Sequence, residues 1–190
     1  MIRFLFALLI ICPLSAQASI VNNIEKYLNN IDSLTADFMQ VDASGESSTG
    51  ILYILRPGKL RWQYNPPVPI LIVVNDSLLT YYDFELKQVS NSSAAGNMIG
   101  FLARKNISFS KDVKVTDVIT NAGTVRLNIS QLAKERNEKI NLIFNQDPIF
   151  IKKIEIIDDA GNFTSISLSN IKYGAKIDPK LFYANQLGSK

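Results

Sequence analysis

The residues that carry most enzyme chemistry are missing from this chain. It has no histidine, and Cys12 is its one cysteine. Without histidine there is no Ser-His-acid triad, no Cys-His dyad and no His-ligated zinc. Neither a Gly-rich loop ending in Gly-Lys-Ser/Thr nor a Gly-x-Gly-x-x-Gly run occurs. Carboxylates remain. Asp158-Asp159 is the tightest acidic pair, but Ala160-Gly161 follows at once, so the four residues read as a hairpin turn. Asp37 and Asp83 have no obvious partner in sequence. An enzyme is therefore not expected, nor a cofactor or metal. A secreted hydrolase working with two carboxylates is the catalytic alternative, and the apolar strand faces argue against its polar cleft.

The informative stretch is Gly50 to Val89. Arg56 stands at the end of an apolar strand, before the turn dipeptide Pro57-Gly58. Beyond the turn, Leu60, Trp62 and Tyr64 alternate with Lys59, Arg61 and Gln63. A period of two puts aromatic and apolar side chains on one strand face and charged ones on the other. The Lys59/Arg61 face reads as solvated. Leu60, Trp62 and Tyr64 read either as ordinary core or as the lining of a ligand cavity; periodicity alone leaves both open. The apolar strand Ile70–Val74, with Ile72 and Val74, comes next, and Asn75-Asp76 turns the chain into Leu78–Asp83.

The elements around this stretch follow from pattern. Ile20, Ile24, Tyr27, Leu28 and Ile31 recur at helical spacing, which predicts an amphipathic helix over Ile20–Ile31. Strands are expected at Leu34–Val41, Thr49–Leu55, Leu60–Tyr64, Ile70–Val74, Leu78–Asp83 and Leu86–Val89, with a polar loop over Asp42–Thr49. Ser, Ala, Gly and Asn over Asn91–Gly96 break the meander. Met98, Ile99, Phe101 and Leu102 cluster within one or two turns, which predicts a short helix over Asn97–Arg104. Strands follow at Val113–Ile119, Val125–Ile129, Ile140–Phe144, Ile149–Ile157 and Phe163–Tyr173, and Asp178-Pro179 opens a last turn carrying Leu181, Phe182 and Tyr183. The class is mainly β (α+β). About eleven antiparallel strands in one domain must curl into a barrel or a sandwich.

Residues 1–18 read as a cleaved secretory signal: Arg3, the apolar run Phe4–Cys12, and the small-x-small site Ala16-Gln17-Ala18. Ile10-Ile11 before Cys12 is a poor lipidation context, so Cys12 is expected to leave with the leader. Residues 19–190 then form one cysteine-free domain, held by its core alone. The formal net charge is +3, one less without Arg3, which is too little to suggest nucleic acid.

Taken in order, Gly50, Arg56-Pro57, Trp62, Tyr64-Asn65-Pro66, Ile70–Val74, Asn75-Asp76, Tyr82-Asp83 and Gln88-Val89 resemble the periplasmic lipoprotein carrier family LolA. Phe38-Met39-Gln40 upstream and Phe101-Leu102-Ala103-Arg104 downstream fit as well. The resemblance runs to about Asn106 and is only a strand pattern beyond. It implies an incompletely closed antiparallel barrel whose mouth is covered by a helical lid. Ile24 and Leu28 of the first helix, with Met98, Ile99, Phe101, Leu102 and Ala103 of the second, would be that lid. Leu60, Trp62, Tyr64, Ile72 and Val74 would line an acyl-chain cavity. Arg56 occupies the position of the family's lid latch, which bonds to lid backbone. The implied function is periplasmic carriage of acylated lipoproteins. A LolCDE-type, ATP-driven extractor would be the donor, and a LolB-type acceptor or the outer membrane itself the destination, with the carrier a monomer. Two features depart from the family: the chain stops soon after Tyr183, and Val89–Met98 is short. A lipid- or lipoprotein-sensing module of the same fold is the other binding alternative.

Overall fold

The computed structural model describes residues 14–96, 98–131 and 138–183. The chain opens with α1 (Leu14–Asn29) and runs through β1 (Ser33–Val41), β2 (Ser47–Leu55), β3 (Lys59–Tyr64), β4 (Ile70–Asn75), β5 (Leu78–Asp83) and β6 (Gln88–Ser93). After α2 (Met98–Ala103) come β7 (Val113–Asn121), β8 (Thr124–Gln131), β9 (Lys139–Gln146), β10 (Ile149–Ile157) and β11 (Phe163–Tyr173), then a single 3-10 turn at Pro179–Phe182. Residues 1–13 of the expected leader and Asn97 lie outside the described residues. No described helix is long and apolar enough to cross a membrane.

All strands join one antiparallel sheet in the order β6-β5-β4-β3-β2-β1-β11-β10-β9-β8-β7. Each half is a meander of sequence neighbours, as tight turns between consecutive strands require. The halves meet where β1 pairs with β11, and a register shift between Thr35 and Asp37 breaks that seam. β6 and β7 are edges, so the sheet curls without closing. Strand number and antiparallel pairing are as the sequence pattern predicts, and the open barrel is what the family resemblance implies.

Strand register explains where the core sits. Leu34, Ile54, Leu60 and Val74 lie in one cross-strand row, and Ala36, Leu52, Trp62 and Ile72 in the next. Both rows point into the curl. Phe38 faces Gly50 and packs its ring against Trp62 and Tyr64, with centroids 5.0 and 5.1 Å away. Gly50 makes room for that ring, since a Cβ there would stand 2.0 Å from the Gln63 carbonyl oxygen and 2.5 Å from the Phe38 ring.

The structure corrects the sequence reading at several points. α1 starts at Leu14, before the expected Ile20, and ends at Asn29, although Ile31 remains buried. The sixth strand is Gln88–Ser93, so Leu86 belongs to the turn before it and the first half of the expected Asn91–Gly96 break is strand. That strand is fully exposed and polar, so it carries no alternating apolar signal. β2 starts at Ser47, inside the expected polar loop, where backbone pairing with β1 overrides composition.

The Lys59/Arg61 face is also not simply solvated. Arg61 is buried, and its Nη1 donates to the Leu181 carbonyl at 2.8 Å while Nε donates to Gln63 Oε1 at 3.0 Å. The chain after β11 crosses the outer face of the sheet. Phe182 sinks onto Leu71 and Val73 there, forming a second, smaller core with Tyr53, Leu55, Tyr82 and Ile177. A period-two pattern cannot reveal that a distant segment covers the second face.

Candidate functional site

α1 and α2 lie over the inner face of the sheet. Ile24 and Leu28 of α1 are fully buried, as are Phe101, Leu102 and Ala103 of α2, and Met98 is nearly so. These residues share one apolar cluster with Leu60, Trp62 and Val74. α2 is six residues long and would not hold as an isolated helix, so packing holds it. Gly100 allows its close approach to the preceding chain, because a Cβ there would fall 1.7 Å from the Ala94 carbonyl oxygen.

Arg56, half-buried at the end of β2, joins the two helices. Its Nη1 donates to the Leu28 carbonyl oxygen and its Nη2 to the Leu102 carbonyl oxygen at 3.1 Å. Both acceptors belong to last turns of helices, where carbonyls lack intrahelical partners. A cation there also meets the negative end of each helix dipole. The planar fork of arginine can serve two carbonyls at once, which a lysine ammonium does less well. Burial pushes the Arg56 pKa down and Asp32 opposes this; the group stays charged. Beside it, the Gly58 N–H donates to the Ala103 carbonyl at 2.8 Å, tying the β2–β3 turn to the end of α2.

The helices are also tied to each other and to the far wall. Asn29 exchanges two hydrogen bonds with the backbone of Ile107, and Glu25 Oε2 accepts from the Phe109 N–H at 2.8 Å. Both fix the segment after α2, which the Arg104–Asp112 ion pair (2.5 Å) further closes. On the other side, Tyr27 Oη accepts from the Ile151 N–H of β10 at 3.1 Å and lies 2.8 Å from Tyr173 Oη of β11. Burial, helped by the bond to Tyr173, raises the Tyr27 pKa well above the ordinary tyrosine value.

Under α2 a cavity of about 140 Å³ remains. Trp62, Tyr64 and Ile72 wall one side, Met98 and Ile99 roof it, and Ile154, Ile156 and Ile166 face them. Leu60 and Val74 do not reach this space; both are packed solid in the core beside it. The Trp62 indole N–H is buried without a hydrogen-bond partner among the described residues, a cost of about 1–3 kcal/mol. Tyr64 donates to Gln40 Oε1 at 2.8 Å, and burial pushes its pKa up to about 12. A larger groove, about 620 Å³, lies beside the end of α1 against β10 and β11. Sequence reasoning missed the groove and the Asn29 and Glu25 ties. Tyr27, a polar tip on an apolar helical stripe, was the available signal for the first.

The carboxylates noted in the sequence are engaged in local structure. The Asn162 side chain donates to Asp158 Oδ2 and the Asn162 and Ala160 backbone N–H groups donate to Oδ1, and these bonds, the side-chain one first, lower the Asp158 pKa. Asp83 accepts from the Glu85 and Leu86 N–H groups, and Asp37 from the Asn170 side chain. These are turn and seam contacts, not a facing pair.

Comparison with known proteins fits this geometry. A family model for the outer membrane lipoprotein carrier protein LolA matches residues 29–185. An outer-membrane lipoprotein carrier protein of Legionella pneumophila (strain Lens) is 31% identical over 170 residues, covering 85% of this chain and 83% of that one. One from Methylococcus capsulatus is 28% identical over 191 aligned positions, covering 95% and 91%. The crystal structure of a LolA superfamily protein from Nitrosomonas europaea superposes with a TM-score of 0.54 at 13% identity, covering 87% of this chain and 98% of that one. At that identity the likeness speaks for the fold alone.

Proposed function

Because the chain belongs to the outer membrane lipoprotein carrier family LolA, and so is a lipoprotein-binding carrier, we propose that it ferries acylated lipoproteins across the periplasm beneath a lid latched by Arg56. The observation that carries this reading is the placement of Arg56. One guanidinium holds the ends of both helices that roof the apolar interior. In the latched state the space under α2 is about 140 Å³, similar to a cavity that holds a benzene-sized guest. A long acyl chain occupies far more, on the order of 450 Å³ if each carbon takes about the share of a water molecule. Cargo must therefore lift α2, and lifting it breaks the Arg56 bonds. Their re-formation favours release.

Residues 1–18 direct export and are removed, and residues 19–190 act as a single, monomeric carrier domain. Each buried methylene contributes about 0.8 kcal/mol, so pulling several acyl chains from a bilayer costs tens of kcal/mol. The chain has no P-loop to supply that energy. An ATP-driven extractor of the LolCDE type in the inner membrane would hand over the cargo. A LolB-type acceptor, or the outer membrane directly, would take it.

Native mass spectrometry of the protein purified from its own periplasm tests this. The expected result is a monomer of residues 19–190 with an acylated lipoprotein bound. Recovery without any acylated partner, both from wild type and from an Arg56→Leu variant that holds cargo longer, would overturn it.

A further inference from the structure

The groove beside α1 differs from the space under α2. Its apolar walls are Ile31 just beyond α1, Ile149 and Phe150 of β10, and Leu168 and Ile171 of β11, and neutral polar side chains complete it. None of its lining residues is charged. At about 620 Å³ it is within the usual size range of small-ligand sites. It is open while the Arg56 bonds are in place. Tyr27 and Tyr173 line it with their hydroxyls 2.8 Å apart.

One direction of that hydroxyl pair is favoured. Tyr27 Oη already accepts from the Ile151 N–H. If it also accepted from Tyr173, its own proton would be left without a protein partner on a half-buried side chain, which is the less favourable arrangement. With Tyr27 donating, its oxygen and its proton are both engaged, and the free proton is on Tyr173, which is half exposed. The relay therefore runs from Ile151 N–H to Tyr27 to Tyr173 and presents an O–H at the groove.

We propose that this groove binds one linear acyl chain, with its ester or amide carbonyl on the Tyr173 hydroxyl, while Arg56 still holds the lid. A neutral apolar wall suits a hydrocarbon chain and rejects a free carboxylate, for which no cation lines the groove. The inference rests on the carrier reading and adds an order to it. One chain docks first beside α1, and the rest follow when α2 lifts. Tyr27 and Ile31, which line the groove, also pack against the core beneath the lid.

The chain has a single tryptophan, Trp62, which lines the central cavity and not the groove. Bromine quenches indole emission only near contact, so a glycerol ester of a brominated stearoyl chain separates the two sites. Binding is followed by calorimetry and Trp62 emission together. The expected result is one saturable site with Trp62 emission unchanged, and displacement by a diacylated peptide. Tyr173→Phe should weaken it about threefold to tenfold, the size of a neutral hydrogen bond, and Ile171→Glu more than tenfold. Binding that quenches Trp62 and ignores Tyr173→Phe would place the chain in the centre and overturn the groove, leaving the carrier reading intact. A site the peptide does not displace would overturn its assignment to cargo. If wild type takes up no ester the groove also fails, and if it takes up no acylated lipoprotein either, the carrier reading fails with it.

Discussion

Asn29 and Ile107 grip each other through a closed pair of hydrogen bonds. Asn29 Nδ2 donates to the Ile107 carbonyl at 2.9 Å, and Asn29 Oδ1 accepts from the Ile107 N–H at 2.7 Å. A side-chain amide here plays the part of a strand neighbour, satisfying both backbone groups of a residue that is fully buried. The result is that α1 and the segment after α2 form one body. Asn29→Ala leaves two backbone groups of Ile107 unpaired, at about 1–3 kcal/mol each. Hydrogen exchange should show the Ile107 and Phe109 amides opening at least tenfold faster, with the strands of β8 and β9 unaffected. Equal protection in variant and wild type would mean the pair does not couple the two segments.

Arg56→Leu should shift the lid toward its open form. Hydrogen bonds to a charged group contribute about 1.5–3 kcal/mol each, so losing both moves the balance by at least about tenfold. Loading of a lipoprotein should equal or exceed wild type while transfer to an acceptor falls. Arg56→Lys should lie between, because an ammonium cannot span both carbonyls. Weaker loading with normal transfer would identify Arg56 as a cargo ligand instead.

Ile99 roofs the central cavity and is only partly buried, so it can be changed without breaking the packed core. Ile99→Glu should fold and lose most uptake of acylated peptide, since a charge on that wall must be desolvated when a chain enters. Leu60→Glu is a different experiment. Leu60 is wholly enclosed, and the variant should fail to fold. Normal uptake by a folded Ile99→Glu protein would remove α2 from the site.

Phe182 anchors the segment that crosses the outer face. Phe182→Ala should cost about 3–5 kcal/mol of stability, as for other buried phenylalanines. Uptake of acylated peptide at low temperature should be unchanged, because the outer core lies on the opposite face of the sheet from the cavity. Loss of uptake without loss of stability would show that the two faces are coupled.

Tyr64 gives the protein an alkaline weakness. Burial favours its neutral form and pushes its pKa up to about 12. That contribution is complete below the ordinary tyrosine value of about 10 and is lost as pH rises from there through about 12. Urea unfolding of wild type and Tyr64→Phe at pH 8 to 11.5 tests this. Wild type should lose more stability over the range, and parallel curves would show that Tyr64 titrates as it does when unfolded.

The sequence determined most of the strands and the hairpin pairing of neighbours, because residues such as Leu60, Trp62 and Tyr64 alternate and turn residues punctuate the hairpins; β6, without such alternation, and the β1–β11 seam were decided by the fold. An inward row follows from alternation plus register, and both are local. It also placed Arg56 beside a turn at the end of an apolar strand, and the family resemblance attached a lid to it. It could not say that Arg56 reaches Leu28 as well as Leu102, since that depends on where two helices end in space. Nor could it show that Arg61 bonds to the Leu181 carbonyl while Phe182 covers Leu71 and Val73, or that Tyr27, Leu168 and Tyr173 share a groove. Those residues are remote along the chain, and only the curl of the sheet and the docking of α1 bring them together. Periodicity reports which face of an element is apolar; what lies against that face is decided by the closure of the whole fold.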